Sequence, residues 1–178
     1  MRILEAGCGD GRNLVLFLRC GFDVWAIDSS PHAIENVRRL ASEHAPHLGE
    51  DHFRVESIEN LSFPDASFDA IACIAALHFA EDEPQFRQMV DEIWRVLAPE
   101  GILLARLAST IGIETRVRSI EGRRYLLPDG TERFLVDEEM LVRLTNEIGA
   151  RLVEPIKTVN VQNERCMTTW VCRKRSDD

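Results

Sequence analysis

The stretch Glu5-Ala6-Gly7-Cys8-Gly9-Asp10-Gly11-Arg12-Asn13 decides how this chain is read. It stands between a short apolar run, Arg2–Ala6, and a segment of helical character over residues 13–19. Three glycines at alternate positions let a backbone turn tightly and approach a ligand closely. A helix starting directly after such a turn presents unpaired N–H groups. The next apolar run, Asp23–Asp28, closes on a carboxylate 21 residues beyond Gly7. A strand, a glycine turn, a helix and a second strand ending in an acid can grip a ribose through both its hydroxyls.

The same alternation continues outward. Further strands are expected at residues 52–56, 68–75, 101–107, 151–159 and 166–174. The earlier runs are nearly all apolar, as strands covered on both faces by helices should be. Helix 13–19 is apolar on nearly every side and is expected to be buried. A second helix opens on Ser30-Pro31, a cap followed by proline, with Ile34, Val37 and Leu40 on one face. A third carries Phe86, Met89, Val90, Ile93, Val96 and Leu97 at helical spacing and stops at Pro99-Glu100-Gly101. A fourth takes Asp137 as its cap, has Glu138 and Glu139 in its first turn and ends before Gly149.

This order predicts an α/β fold: a doubly wound, mostly parallel, seven-stranded Rossmann-like sheet. Its last strands are expected to form an antiparallel hairpin around Gln162-Asn163-Glu164. Residues 108–134 have no clear period, and Pro128-Asp129-Gly130 marks a turn. They are expected to form an irregular insertion near the mouth of the site, because open α/β sheets bind ligands at the carboxyl ends of their strands. Trp25, Trp94 and Trp170 lie on core-patterned segments and are expected in the core.

Composition limits the partners. The 178 residues suit one domain, and 45% apolar with 29% charged residues is an ordinary globular balance. Thirty acidic residues against 21 Lys+Arg, a formal charge of −9, argue against a protein that tracks nucleic-acid phosphates. No apolar stretch approaches the roughly 20 residues of a membrane span. The five cysteines (Cys8, Cys20, Cys73, Cys166 and Cys172) form an odd set without a paired CxxC, and neither they nor the histidines have metal-ligand spacing. Reduced thiols in the cytoplasm and no metal site are the expectation.

Two cofactors fit a ribose clamp. A dinucleotide fingerprint, GxGxxG, would put its third glycine at Arg12, whereas here it is Gly11. Glu5, just before the loop, disfavours a pyrophosphate and suits a ligand bearing an ammonium and a sulfonium. At these residues the chain resembles the class I S-adenosylmethionine-dependent methyltransferases, over residues 1–107. Glu5 through Gly11 is similar to that family's cofactor loop and Asp28 to its ribose acid. Phe63-Pro64-Asp65-Ala66-Ser67-Phe68-Asp69 and Leu97-Ala98-Pro99-Glu100-Gly101 are similar to the segments leading into its fourth and fifth strands. Gly11-Arg12-Asn13 and Arg165-Cys166-Met167-Thr168-Thr169-Trp170 resemble, more loosely, the small tellurite-resistance-type branch.

The resemblance implies S-adenosylmethionine as cofactor and a small-molecule acceptor. Glu5, Gly7, Gly9 and Gly11 would hold the methionine part, with Cys8 and Asn13 completing the loop and Cys8 packing rather than reacting. Asp28 would hold the ribose, with Ser29 beside it. The family usually places an acid after the third strand to bind the adenine amino group. The corresponding residue here is Ser57, behind Glu56, so Ser57 and Ile58 are expected to serve, while Ile74 and Ala75 flank adenine and sulfur. Family members also carry helices before the first strand. With Met1 already in that strand, residues 1–178 are expected to form one domain without this lid. Either the site is more open than usual, with reduced affinity or activity, or another chain covers it, as in a homodimer, or the sequence is a truncated form.

Methyl transfer from a sulfonium needs alignment and exclusion of water more than covalent chemistry. A base is required only for an acceptor that still holds a proton. His78, at the end of the fourth strand, is the candidate; its other reading is a capping or surface histidine. Arg106, Arg116, Arg118, Arg123 and Arg124 against Glu114 and Glu121 form a local basic run that could draw in an anionic acceptor or be a solvated face. Tyr125 could contact an acceptor or pack. A cofactor-binding subunit that works through a partner is the competing class. A nicotinamide oxidoreductase shares the sheet and the ribose acid but fails at the third glycine.

Overall fold

The computed structural model describes residues 1–176. Strands β1 (Arg2–Ala6), β2 (Asp23–Asp28), β3 (Phe53–Val55) and β4 (Phe68–Ile74) alternate with helices α1 (Leu14–Arg19) and α2 (Pro31–His44). Helix α3 (Glu83–Val96) leads into β5 (Leu97–Ser109). A small antiparallel sheet follows, made of β6 (Arg118–Glu121), β7 (Arg124–Leu126) and β8 (Glu132–Phe134). Helix α4 (Glu138–Glu147) and strands β9 (Ala150–Leu152), β10 (Lys157–Val161) and β11 (Arg165–Lys174) follow among the described residues.

The main sheet runs β10-β11-β5-β4-β1-β2-β3. β1 to β5 are mutually parallel, while β11 is antiparallel to both β5 and β10. The order reverses at β1, and this reversal opens the crevice in which open α/β sheets bind ligands. On one face α1 and α2 pack Leu14, Leu18, Ile34 and Val37 against Val24, Ala26 and Phe53. On the other, α3 and α4 pack Phe86, Val90, Ile93, Leu141 and Leu144 against Leu4, Ile71, Leu103 and Leu107. The predicted caps are in place: Ser30 Oγ accepts from Ala33 N, and Asp137 Oδ1 from Met140 N. Asp82 likewise caps α3 through Gln85 N. No helix among the described residues is long and apolar enough to cross a membrane.

Several expectations need correction. α1 is only six residues long and buries Leu14 and Leu18 alone, while Leu16 is 65% exposed, so an all-apolar sequence does not bury every face. The strand expected over 151–159 is two strands, β9 and β10, broken around Pro155, whose missing N–H cannot serve a ladder. Both parts pair with β11, so the expected hairpin closes through β10, with Gln162 and Asn163 at positive φ in its turn. β5 begins at Leu97 rather than Gly101. Its first residue pairs with Phe68, and the Ala98–Gly101 residues bulge out before pairing resumes at Ile102.

The insertion at 108–134 is ordered as β6, β7 and β8 and not irregular. Leu127 and Thr131 close the predicted turn, in which Asp129 accepts from Thr131 N and Oγ1. Phe134 of β8 stacks on Phe86 of α3 at 4.8 Å, which ties the small sheet to the main core. Of the three tryptophans only Trp170 is fully buried; Trp25 and Trp94 are half-buried beneath Arg2, Arg54 and Lys174.

Trp170 Nε1 donates to Thr145 Oγ1 at 2.9 Å, and that hydroxyl donates to Leu141 O. Thr145→Val keeps the shape but strands a buried indole N–H. A loss of about 1–3 kcal/mol in urea unfolding is expected, with Thr145→Ser retaining most of the stability. Equal midpoints for wild type and Thr145→Val would show that this bond contributes nothing.

Candidate functional site

The glycine loop curls back on β2. Gly7 N and Cys8 N both donate to Ile27 O, at 2.9 and 3.0 Å, and Gly9 N donates to Asp28 Oδ2 at 2.9 Å. Gly11 N closes the turn onto Cys8 O. Gly7 must be glycine: its φ is +76°, and a Cβ there would lie 2.4 Å from the Ala76 Cβ. At Gly9 a Cβ would meet nothing, because the backbone there borders open space. That space is a cavity of about 790 Å³ at the carboxyl ends of the strands, within the usual range of small-molecule sites.

Of the residues singled out by sequence, Gly7, Cys8, Gly9, Asn13, Asp28, Ser29, Ser57, Ile58, Ile74, Ala75 and His78 all line this cavity. Glu5 and Gly11 do not. Gly11 is buried, and a Cβ would press on Leu40 and Val37 at 3.0 and 3.1 Å, so its smallness serves the packing of α1 on α2. Glu5 is buried behind Asn13, whose Nδ2 donates to its Oε1 at 2.8 Å. Its Oε2 is buried without a partner, and burial pushes its pKa from 4.5 up to about 7 despite the Asn13 bond.

Each Asp28 oxygen accepts one loop amide, Gly9 N on Oδ2 and Ser30 N on Oδ1. A carboxylate offers about four acceptor positions, so capacity remains for two hydroxyls. Ser57 donates to the Glu59 carboxylate, which also accepts from Gln85 Nε2 of α3. Glu56 turns away to Ser62 N and Oγ. Cys8 is buried, and burial together with Asp28 and Glu5 pushes its thiol up, away from nucleophilic character. Ala75 holds φ +61° with its N–H on Arg106 O, a left-handed residue at the turn from β4 into the site.

His78 is neither a surface residue nor a free base. It is 6% exposed, and the Ala108 N–H donates to its Nδ1 at 3.1 Å. An amide can only donate, so Nδ1 is unprotonated and Nε2 carries the proton. Burial, then the charges of Arg133, Arg165 and Arg106, press its pKa down to about 4. At neutral pH it is a neutral donor. The basic run divides: Arg123 pairs with Asp137 and Arg124 with Glu132, Arg116 and Arg118 are exposed, and only Arg106 lines the cavity. Tyr125 packs beside Ala108, Leu127 and Met167 instead of lining it.

Sequence reasoning did not assign Asp10, Arg12, Glu59, Ala76, Phe79, Gln85 or Met89 to the site, all of which border the cavity. Phe79 follows His78 and was within reach of the same strand-end argument. Gln85 and Met89 lie in the first two turns of α3, whose approach to the loop after β3 leaves no local signal.

The family model described as a methyltransferase domain matches residues 3–101. An O-methyltransferase of ubiquinone biosynthesis from Methylocella silvestris is 32% identical over 146 residues, 79% of this chain and 54% of that protein. A second protein of that name, from Xylella fastidiosa, is 33% identical over 139 residues, 75% of this chain and 53% of its own length. The chain spans about half the length of these curated relatives. Among solved structures, an S-adenosylmethionine-dependent methyltransferase of Methanosarcina mazei superposes with TM-score 0.78 at 23% identity, over 99% of this chain and 93% of that one. The chain belongs to the class I S-adenosylmethionine-dependent methyltransferases.

Glu5 makes stability depend on pH. Folded, it holds its proton up to about 7; at its unfolded value of 4.5 it releases the proton earlier. The folded state therefore binds more protons between these values, and stability falls as pH rises through that window. Glu5→Gln should flatten the fall by roughly 2–3 kcal/mol between pH 4.5 and 8, read from urea unfolding of the unliganded protein at each pH. Parallel slopes for both proteins would remove Glu5 as the cause.

Proposed function

We propose that this chain transfers a methyl group from S-adenosylmethionine to a small-molecule acceptor. The observation that supports it most is the unpartnered Glu5 oxygen behind a glycine loop that leaves open space at Gly9. A buried, half-satisfied carboxylate beside such a loop fits a ligand carrying a cation. Gly7, Cys8 and Gly9 would hold the methionine part, with Asn13 and Glu5 near its ammonium. Asp28 would take the ribose, and Ile58, Ser57 and Met89 the adenine side. When bound, the cofactor supplies an electrophilic methyl group on a sulfonium, which leaves as a neutral thioether.

The chain's own residues then orient the acceptor and exclude water. His78, neutral with Nδ1 occupied, donates a hydrogen bond through Nε2 and does not take the acceptor's proton; the acceptor would react as an anion, its proton already released to solvent, as the new bond to methyl forms and the S–CH3 bond breaks. The relatives' description as O-methyltransferases supports oxygen as the methylated atom. A structural neighbour from Burkholderia thailandensis, a 1,6-didemethyltoxoflavin-N1-methyltransferase holding S-adenosylhomocysteine, supports a small acceptor and this cofactor; its TM-score is 0.75 at 20% identity, over 98% of this chain and 71% of that one. Five unpaired thiols suit the reducing cytoplasm.

Calorimetric titration with S-adenosylhomocysteine tests the reading. Asp28→Ala should weaken binding at least tenfold, the scale of charge-assisted hydrogen bonds, while the circular dichroism spectrum is kept. Unchanged affinity would break the assignment of Asp28. Binding without methyl release over a broad acceptor panel would favour a cofactor-binding subunit.

A further inference from the structure

Arg106 is a half-buried cation of the cavity to which the proposed methyl transfer gives no task. It sits on β5 opposite Ile74 of β4, and its carbonyl accepts from Ala75 N at 2.8 Å. Its guanidinium is half-buried and, among the described residues, has neither an ion pair nor a hydrogen bond. Its neighbours in the basic run differ: Arg123 is paired with Asp137 at 2.9 Å and Arg124 with Glu132 at 2.8 Å. A partly desolvated guanidinium without a counter-charge carries a standing cost that an incoming anion removes.

The sheet order sorts the cavity by charge. Asp10, Asp28, Glu56 and Glu59 belong to the loops after β1, β2 and β3, on one side of the crevice, where they outnumber the exposed Arg12 of the same loops. Arg106 and His78 belong to β5 and the turn after β4, on the other. With strands about 4.8 Å apart, β2 and β5 are separated by roughly 14 Å, so the two ends are electrically distinct. Arg133, lying over the Phe79 ring at 4.6 Å, and Arg165 strengthen the positive end. Carboxylates are present there too: Asp129 pairs with Arg165 at 3.7 Å, Glu132 is held by Arg124, and Glu81 lines a smaller annex of about 220 Å³ that shares His78 and Phe79 with the main cavity.

We propose that Arg106, with the Nε2–H of His78, forms the anion-holding end of the acceptor site, and that the acceptor is a small molecule bearing a carboxylate. A planar guanidinium fork matches the two oxygens of a carboxylate. Of the guanidinium groups at this end Arg106 alone lines the main cavity, where beside a neutral imidazole it balances a single negative charge, and the acids across the cavity disfavour a doubly charged phosphate. The proposal rests on the methyltransferase reading for what occupies the glycine-loop end.

The test titrates the S-adenosylhomocysteine-loaded chain with benzoate, benzamide and phenyl phosphate, then repeats this on Arg106→Met and Arg106→Lys. Wild type should prefer benzoate to benzamide by about tenfold or more, the scale of a charge-assisted pair. Arg106→Met should lose that preference, Arg106→Lys should keep part of it, and homocysteine-cofactor affinity should stay unchanged in both. No preference for benzoate in wild type, a preference that survives Arg106→Met, or tighter binding of phenyl phosphate would each overturn the proposal. So would loss of S-adenosylhomocysteine binding in Arg106→Met, which would give the guanidinium to the cofactor's own carboxylate. If wild type does not bind S-adenosylhomocysteine at all, the methyltransferase reading fails. The benzoate preference of the unliganded chain then still reports on Arg106 separately.

Discussion

Three successive amides, those of Gly7, Cys8 and Gly9, bend back onto the end of β2, two onto Ile27 O and one onto the Asp28 carboxylate. This fold-back spends on the protein the donors that would otherwise face a ligand, and in return fixes the loop's shape before anything binds. It also brings the loop against the turn after β4, where the Ala76 Cβ would stand 2.4 Å from any Cβ at position 7. Asn13, at the start of α1, makes no cap bond with its side chain and holds Glu5 instead. The wall of the cavity, the start of α1 and the buried acid are therefore one coupled arrangement.

A second constraint is that the strands' lateral order is also an order of charge. Four acids against the exposed Arg12 gather where β1, β2 and β3 end, and Arg106 stands where β4 and β5 end. Such a field orients a ligand pair in which one member is cationic and the other anionic, and this orientation costs no motion of the protein. The neutral state of His78 belongs to the same arrangement, since burial first and then the surrounding guanidinium groups disfavour a positive charge there.

The parallel core was legible because β1, β2 and β4 are short apolar runs and the helices between them carry caps at the right places. Asp28 was legible because it closes such a run. What hid was whatever depends on distant partners. β6, β7 and β8 are three or four residues each and mostly exposed or half-exposed, so no alternation marks them. Gly11 looked like part of a cofactor cradle because a glycine needed for helix packing and one needed for a ligand have the same sequence appearance. Glu5 sits on the loop's threshold in sequence yet lies behind Asn13 in space. Among five arginines in one run, only the register of β5 against β4 distinguishes Arg106.

The most C-terminal strand among the described residues occupies an inner position. β11 lies between β5 and β10, with Trp170 wholly buried at its middle. During synthesis, β1 through β5 can assemble while Arg165–Lys174 is still inside the ribosome, which leaves β5 with a long unpaired apolar edge. Such an edge is the kind that recruits another nascent chain. The interval between emergence of β5 and arrival of β11 is thus the vulnerable period in this protein's biogenesis, and shortened translation products ending before Arg165 would carry that edge permanently.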